Sequence, residues 1–177
     1  MPRITWDEAM DKYGSDKPDL RFDMAFTDVT DLVKDTEFKV FRSVIDNGGV
    51  VKGIVVPGDA GIPRRELDDL VEYVNRYGAK GLAWACIKSQ IMKFLGEDTI
   101  RNIGEKMGAK GGDLVLMIAD KPATVARALG ELRLEMARRM NMIDPDKLAF
   151  TWVTDFPMFE YNEDEKRYVA MHHPFTM

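Results

Sequence analysis

The sequence predicts an α+β fold: a mostly antiparallel sheet with helices over one face, in two layers. Three observations carry this expectation. Apolar runs of strand length, at 50–56 and 114–118, alternate with stretches whose apolar residues recur at helical spacing. Asn47-Gly48 is a hairpin turn signal, because both residues tolerate positive φ. Val125, Leu129, Leu132, Met136 and Met140 step four, three, four and four residues apart. They form one apolar stripe along a helix of about five turns that begins near Pro122.

Taken in order, residues 5–13 read as a short helix. Thr5 is its N-cap, Glu8 completes a capping box, Met10 and Tyr13 lie on its apolar side, and Gly14 ends it. Residues 14–22 form a turn-rich loop, since Pro18 fixes its own φ and pushes Lys17 out of helical geometry. Another short helix is expected over 28–34. From Phe38 the pattern turns towards period two, with Phe38, Val40 and Val44 forming a strand that leads into Asn47-Gly48 and a second strand over 50–56. Ile62-Pro63 opens a helix carrying Leu67, Leu70, Val71 and Val74, and Gly78 closes it. A strand at 82–87, a helix at 98–107, the turn Gly111-Gly112-Asp113 and a strand at 114–118 precede the long helix. Residues 43–146 thus read β-β-α-β-α-β-α. Beyond them, 150–160 and 167–171 form a hairpin around the polar turn 162–166. An isolated hairpin is marginal in water, so the two flanks, 1–42 and 147–177, read as edges of some larger sheet.

Composition narrows the function. With 45% hydrophobic and 31% charged residues, the 177-residue chain is an ordinary soluble globular sequence of one or two domains. Its single Cys86 lies in the run Leu82-Ala83-Trp84-Ala85-Cys86-Ile87 and is expected to be a buried reduced thiol with no intrachain disulfide. The acidic Asp7 and Glu8 interrupt any signal-peptide core, and no membrane-length apolar run occurs; a cytoplasmic protein without membrane contact is expected. A net charge of −5 argues against a dedicated nucleic-acid-binding domain, while leaving room for a local basic face.

Four blocks carry a resemblance. Tyr13-Gly14-Ser15-Asp16-Lys17-Pro18-Asp19-Leu20-Arg21, Tyr77-Gly78-Ala79-Lys80-Gly81-Leu82, Trp152-Val153-Thr154-Asp155-Phe156-Pro157-Met158-Phe159-Glu160 and His172-His173-Pro174-Phe175-Thr176 resemble bacterial-type aspartyl-tRNA synthetases in content, order and spacing. The resemblance implies a class II antiparallel catalytic fold interrupted by a GAD domain. Residues 1–42 would follow the second class-defining motif, 43–146 would be the GAD insertion, and 147–177 would return to the catalytic domain. The family's reaction is that of an aspartate–tRNA ligase, which activates aspartate with ATP and Mg²⁺ and transfers it to the 3′ end of tRNA. This stretch has neither an Arg-x-Glu strand motif nor a Gly-x-Asp-Arg helix motif, and activation needs such cationic groups at the α-phosphate. It is expected to be inert alone and to hold no ATP, Mg²⁺ or other metal. By resemblance, the parent is a homodimer and this stretch a monomer.

What remains of the substrate site is the histidine pair. The resemblance assigns His172 to the aspartate pocket, with His173 a neighbour of lesser role; no catalytic residue is expected. Imidazole suits a small charged ligand because it donates or accepts as needed. The loop at Ser15-Asp16-Lys17-Pro18-Asp19 has two readings, an anion site or a structural loop with local Asp turn bonds, of which the second is preferred. Arg127, Arg133, Arg138 and Arg139 on the long helix read as a solvated face paired with Glu131 and Glu135, with phosphate binding as the alternative. Met107, Met117, Met136, Met140 and Met142 read as core filler, and Gly108-Ala109-Lys110-Gly111-Gly112 lacks the ending of a phosphate loop. Two other functional classes compete with a synthetase part: a free-standing GAD-type module that binds tRNA or protein, and a GAD-containing subunit of a tRNA-dependent amidotransferase.

Overall fold

A computed structural model describes residues 1–86, 97–162 and 165–172. In chain order its elements are β1 (Arg3–Thr5), α1 (Trp6–Tyr13), β2 (Thr27–Asp28), α2 (Thr30–Val33), α3 (Lys39–Asp46), β3 (Val50–Val56) and α4 (Arg64–Asn75). They continue with β4 (Ala83–Cys86), α5 (Glu97–Met107), β5 (Leu114–Asp120), α6 (Pro122–Arg139), β6 (Trp152–Thr154), β7 (Phe159–Asn162) and β8 (Arg167–Ala170). The main sheet has strand order β2-β3-β5-β4, with every pairing antiparallel, so the α+β class with an antiparallel sheet is as expected.

The helices do not keep to one face, which corrects the two-layer expectation. Leu114, Val115, Leu116, Met117 and Ile118 are consecutive in β5 and all have no exposed surface, so both of its faces are covered. On one face Leu114, Leu116 and Ile118 join Ile54 and Val56 against Leu67, Leu70 and Val74 of α4 and the α6 stripe from Val125 to Met136. On the other, Val51, Val115 and Met117 pack with Val33 of α2, Phe41 of α3 and Ile103 of α5. An uninterrupted apolar run is the pattern of a strand buried on both sides, whereas a one-sided sheet would alternate with polar residues. Each such side chain contributes about 1.5–3 kcal/mol on burial.

The strand expected from Phe38 is instead α3. Phe41, Val44 and Ile45 recur at helical spacing as well as Phe38, Val40 and Val44 do at strand spacing, and the helical phase is the one that seats Phe41 at 2% exposure on the sheet. Asn47-Gly48 is still a turn, with Gly48 at φ 76, but it joins a helix to a strand. The thiol of Cys86 is exposed, not buried as expected, because alternation along the edge strand β4 turns Ala85 inward and Cys86 outward.

The N-terminal flank docks on the long helix. Thr5 and Glu8 form the expected capping box of α1, each bond 3.1 Å. Gly14 ends the helix at φ 67, where a Cβ would lie 2.0 Å from the Ala126 carbonyl oxygen of α6. The flanks also meet each other: β1 pairs in parallel with β6. The expected long strand of the hairpin breaks at Asp155, which has φ 57, and Pro157 follows closely. After the break β7 and β8 pair as the antiparallel hairpin.

Candidate functional site

The β1–β6 pairing brings the start of α1 beside the connection from β6 to β7, and the chain leaving β8 passes between them. There the His172 ring makes its contacts. Its Nδ1–H donates to the Pro157 carbonyl at 3.2 Å, the Phe156 ring meets it edge-on at 4.7 Å between centroids, and Trp6 lies at 6.2 Å. Nε2 faces the Asp16 carboxylate at 3.9 Å, an ion-pair separation when the ring is protonated. His173 lies outside the described residues, so the expected pair is represented by His172.

Asp16 belongs to the loop between α1 and β2, whose internal bonds are the local turn bonds preferred from sequence. The Ser15 hydroxyl accepts the Lys17 N–H at 3.1 Å, and Asp19 accepts the Arg21 N–H at 3.0 Å. The Arg21 guanidinium also grips the Asp19 carboxylate, at 2.7 Å for the shortest contact, and holds its pKa below the usual carboxylate value. In charge and contacts this is a braced loop.

The brace comes from Arg133. The charge pattern along the long helix puts it on a solvated face, but the structure buries it, at 1% exposure. Its guanidinium donates to the carbonyls of Asp19 at 2.8 Å, Phe22 at 3.1 Å and Met24 at 3.1 Å, and lies 4.0 Å from the Phe22 ring centroid and 4.9 Å from that of Tyr13. Burial lowers its pKa from the ordinary arginine value. The signal was available: Arg133 follows Leu129 by four residues and precedes Met136 by three, which places it on the apolar stripe. The expected pairing does hold further along, where Glu135 meets Arg138 at 3.5 Å and Arg139 at 2.8 Å on the surface.

Between α1 and α6 runs a cleft of about 980 Å³ lined by Trp6, Tyr13, Lys17, Arg127, Glu131 and Met171 among others. It reaches the neighbour of His172 and carries charges of both signs. The glycine-rich turn at 108–112 is structural: the Asp113 carboxylate accepts the backbone N–H groups of Lys110 at 2.8 Å and Gly58 at 3.0 Å. Among the described residues no group of three His, Cys, Asp or Glu could hold a metal ion. Although Cys86 lies at the surface, neighbouring protein partly desolvates its thiol and, with the Asp59 carboxylate, pushes its pKa up, away from nucleophilic reactivity. The arrangement at His172 can bind and orient a small polar ligand, and it assembles no nucleophile–base pair.

Comparison with known proteins adds what geometry alone does not. A family model described as "GAD domain" matches residues 41–129. The aspartate–tRNA(Asp/Asn) ligase of Moorella thermoacetica is 53% identical over 100% of this chain, and the aspartate–tRNA ligase of Clostridium novyi is 55% identical over 99%. The aspartate–tRNA(Asp/Asn) ligase of Halothermothrix orenii is 54% identical over 99%. The chain spans only 30–31% of the length of these relatives. A solved structure, the hypothetical protein PH0730 from Pyrococcus horikoshii OT3, covers 59% of this chain and 68% of its own at 15% identity and a TM-score of 0.36.

Proposed function

We propose, from the premise that this chain belongs to the GAD domain family, that it is an internal part of a bacterial-type aspartate–tRNA ligase. The observation that carries this reading is identity of 53–55% over 99–100% of the chain, well beyond the 41–129 match. The whole protein would activate aspartate with ATP, form an aspartyl-adenylate and pass the aspartyl group to the 3′ end of tRNA. It would be a cytoplasmic homodimer; among the described residues no helix is long and apolar enough to cross a membrane. The boundary expected at residue 42 falls inside the α+β unit, since β2, α2 and α3 pack into its sheet and core. The GAD insertion would therefore begin before Thr27 and run to about residue 146, with the residues before it and 147–177 belonging to the catalytic domain.

Within that reaction, His172 lines the aspartate pocket and His173 is its neighbour. Support comes from the geometry of His172, a partly exposed imidazole held by Pro157 and Phe156 and facing a carboxylate. In this reading ATP and Mg²⁺ are met by other parts of the whole protein. Among the described residues Arg133 is committed to three carbonyls and Arg21 to Asp19, and no group of three His, Cys, Asp or Glu could hold a metal ion. Aspartate-dependent pyrophosphate exchange tests the reading. The complete reading frame that carries this stretch should exchange with aspartate and ATP, and the 177-residue chain alone should not. Exchange by the chain alone, or a complete protein active only with another amino acid, would overturn it.

A further inference from the structure

The loop carrying Asp16 is fastened at both ends to α6. At one end Gly14 sits against the Ala126 carbonyl with no room for a side chain, and at the other the Asp19 carbonyl takes a hydrogen bond from Arg133 at 2.8 Å. Arg133 then holds the next stretch through Phe22 and Met24. A guanidinium with five donors in a fixed plane fits several carbonyls at once, and the aromatic rings of Tyr13 and Phe22 keep it in place. The loop itself has no helix or strand between α1 and β2, so these attachments set where Asp16 stands.

On the His172 side, a carbonyl can only accept, so the Nδ1–H is committed to Pro157. Phe156 and Trp6 meet the ring at interplanar angles of 69° and 65°, which restricts its tilt. Among the described residues, the charged group that faces Nε2 is Asp16. We infer that Asp16 is a positioning residue for His172, and that Arg133, by bracing the Asp16 loop on α6, makes the α+β unit the platform for this side of the aspartate pocket. The inference rests on the reading of His172 as an aspartate ligand. It gives the inserted unit a defined task, the alignment of an imidazole contributed by the C-terminal flank. A misplacement of about 1 Å in such a group is enough to lower turnover severalfold or more.

The experiment uses the complete reading frame, with pyrophosphate exchange read as a function of aspartate and of ATP. His172→Ala should raise KM for aspartate about tenfold or more. Asp16→Asn, which keeps shape and removes charge, should raise it about fivefold while KM for ATP and the melting temperature stay unchanged; Asp16→Glu should recover most of the loss. Arg133→Met should act in the same direction as Asp16→Asn and also lower the melting temperature, with Arg133→Lys intermediate. In parallel, this chain carries two histidines, so a ¹⁵N-histidine spectrum resolves its ring nitrogens, and Asp16→Asn should shift those of His172. A rise in KM for His172→Ala with none for Asp16→Asn would overturn the positioning role and leave the aspartate reading standing. No rise for His172→Ala would overturn that reading and the inference with it. Unchanged His172 ring signals in Asp16→Asn would overturn the contact itself.

Discussion

Strand β5 and the β7–β8 hairpin are both antiparallel, but β5 is an aliphatic run while the hairpin mixes aromatic with charged and polar residues, and the two reach opposite ends of exposure. Leu116, Met117 and Ile118 have no exposed surface, while Phe159, Tyr161 and Tyr168 are 58%, 45% and 70% exposed. Strand propensity does not separate them, since aromatic and branched residues favour either place. What separates them is cover: β5 has α4 and α6 on one face and α2, α3 and α5 on the other, and the described part of the hairpin pairs only with itself. Burial in this chain is therefore decided by which strands the helices can reach, and the cooperative unit should end where the helices do.

That boundary can be broken most forcefully at its centre. Leu116→Ala removes a wholly buried side chain from the core between β5 and α6, where close packing leaves little room to collapse. A loss of about 2–5 kcal/mol is expected, read as a lower urea midpoint with an unchanged slope. A loss under about 1 kcal/mol would mean that the sheet is not the centre of the unit.

The joint between flank and unit should respond next. Gly14→Ala puts a Cβ 2.0 Å from the Ala126 oxygen and forces a non-glycine residue to φ 67. The left-handed conformation costs about 1–2 kcal/mol, and displacement of α1 from α6 adds to it, so a total of about 2–3 kcal/mol is expected by thermal or urea unfolding. Because the same glycine anchors the Asp16 loop, the aspartate KM of the complete protein should rise in step.

How much of this was legible follows the range of each signal. The α1 capping box and the α6 stripe are local patterns, and each appeared where the residues placed it, whereas the turn at Gly48 joins a helix to a strand and the C-terminal hairpin forms only after the break at Asp155. The second helical layer was written in the unbroken run Leu114-Val115-Leu116-Met117-Ile118, but a run buried on both sides looks the same whichever helices cover it. Residues 38–46 satisfy both periods, and only the sheet's need for Phe41 selects the helix. Arg133 was obscured by its charge: a cation on an apolar stripe is stable only because the carbonyls of Asp19, Phe22 and Met24 come to it from more than a hundred positions away in sequence. The contact of Asp16 with His172 is as remote. It depends on the parallel pairing of β1 with β6, for which neither strand carries a local signal.

The smallest effect is expected in the hairpin, and it tests the comparison most directly. Tyr168 is 70% exposed and its ring meets Tyr161 edge-on at 5.3 Å. Such a pair contributes about 0.5–1.5 kcal/mol where it forms, but that energy stabilises the hairpin against local opening. If the hairpin lies outside the cooperative unit, Tyr168→Ala should change global unfolding by less than about 0.5 kcal/mol. It should at the same time speed amide exchange at Tyr161 and Val169, whose strands are paired through Tyr161↔Tyr168 and Glu160↔Val169. Slow exchange that persists there, together with a global loss comparable to Leu116→Ala, would place the hairpin inside the unit and show that helical cover is not what draws its boundary.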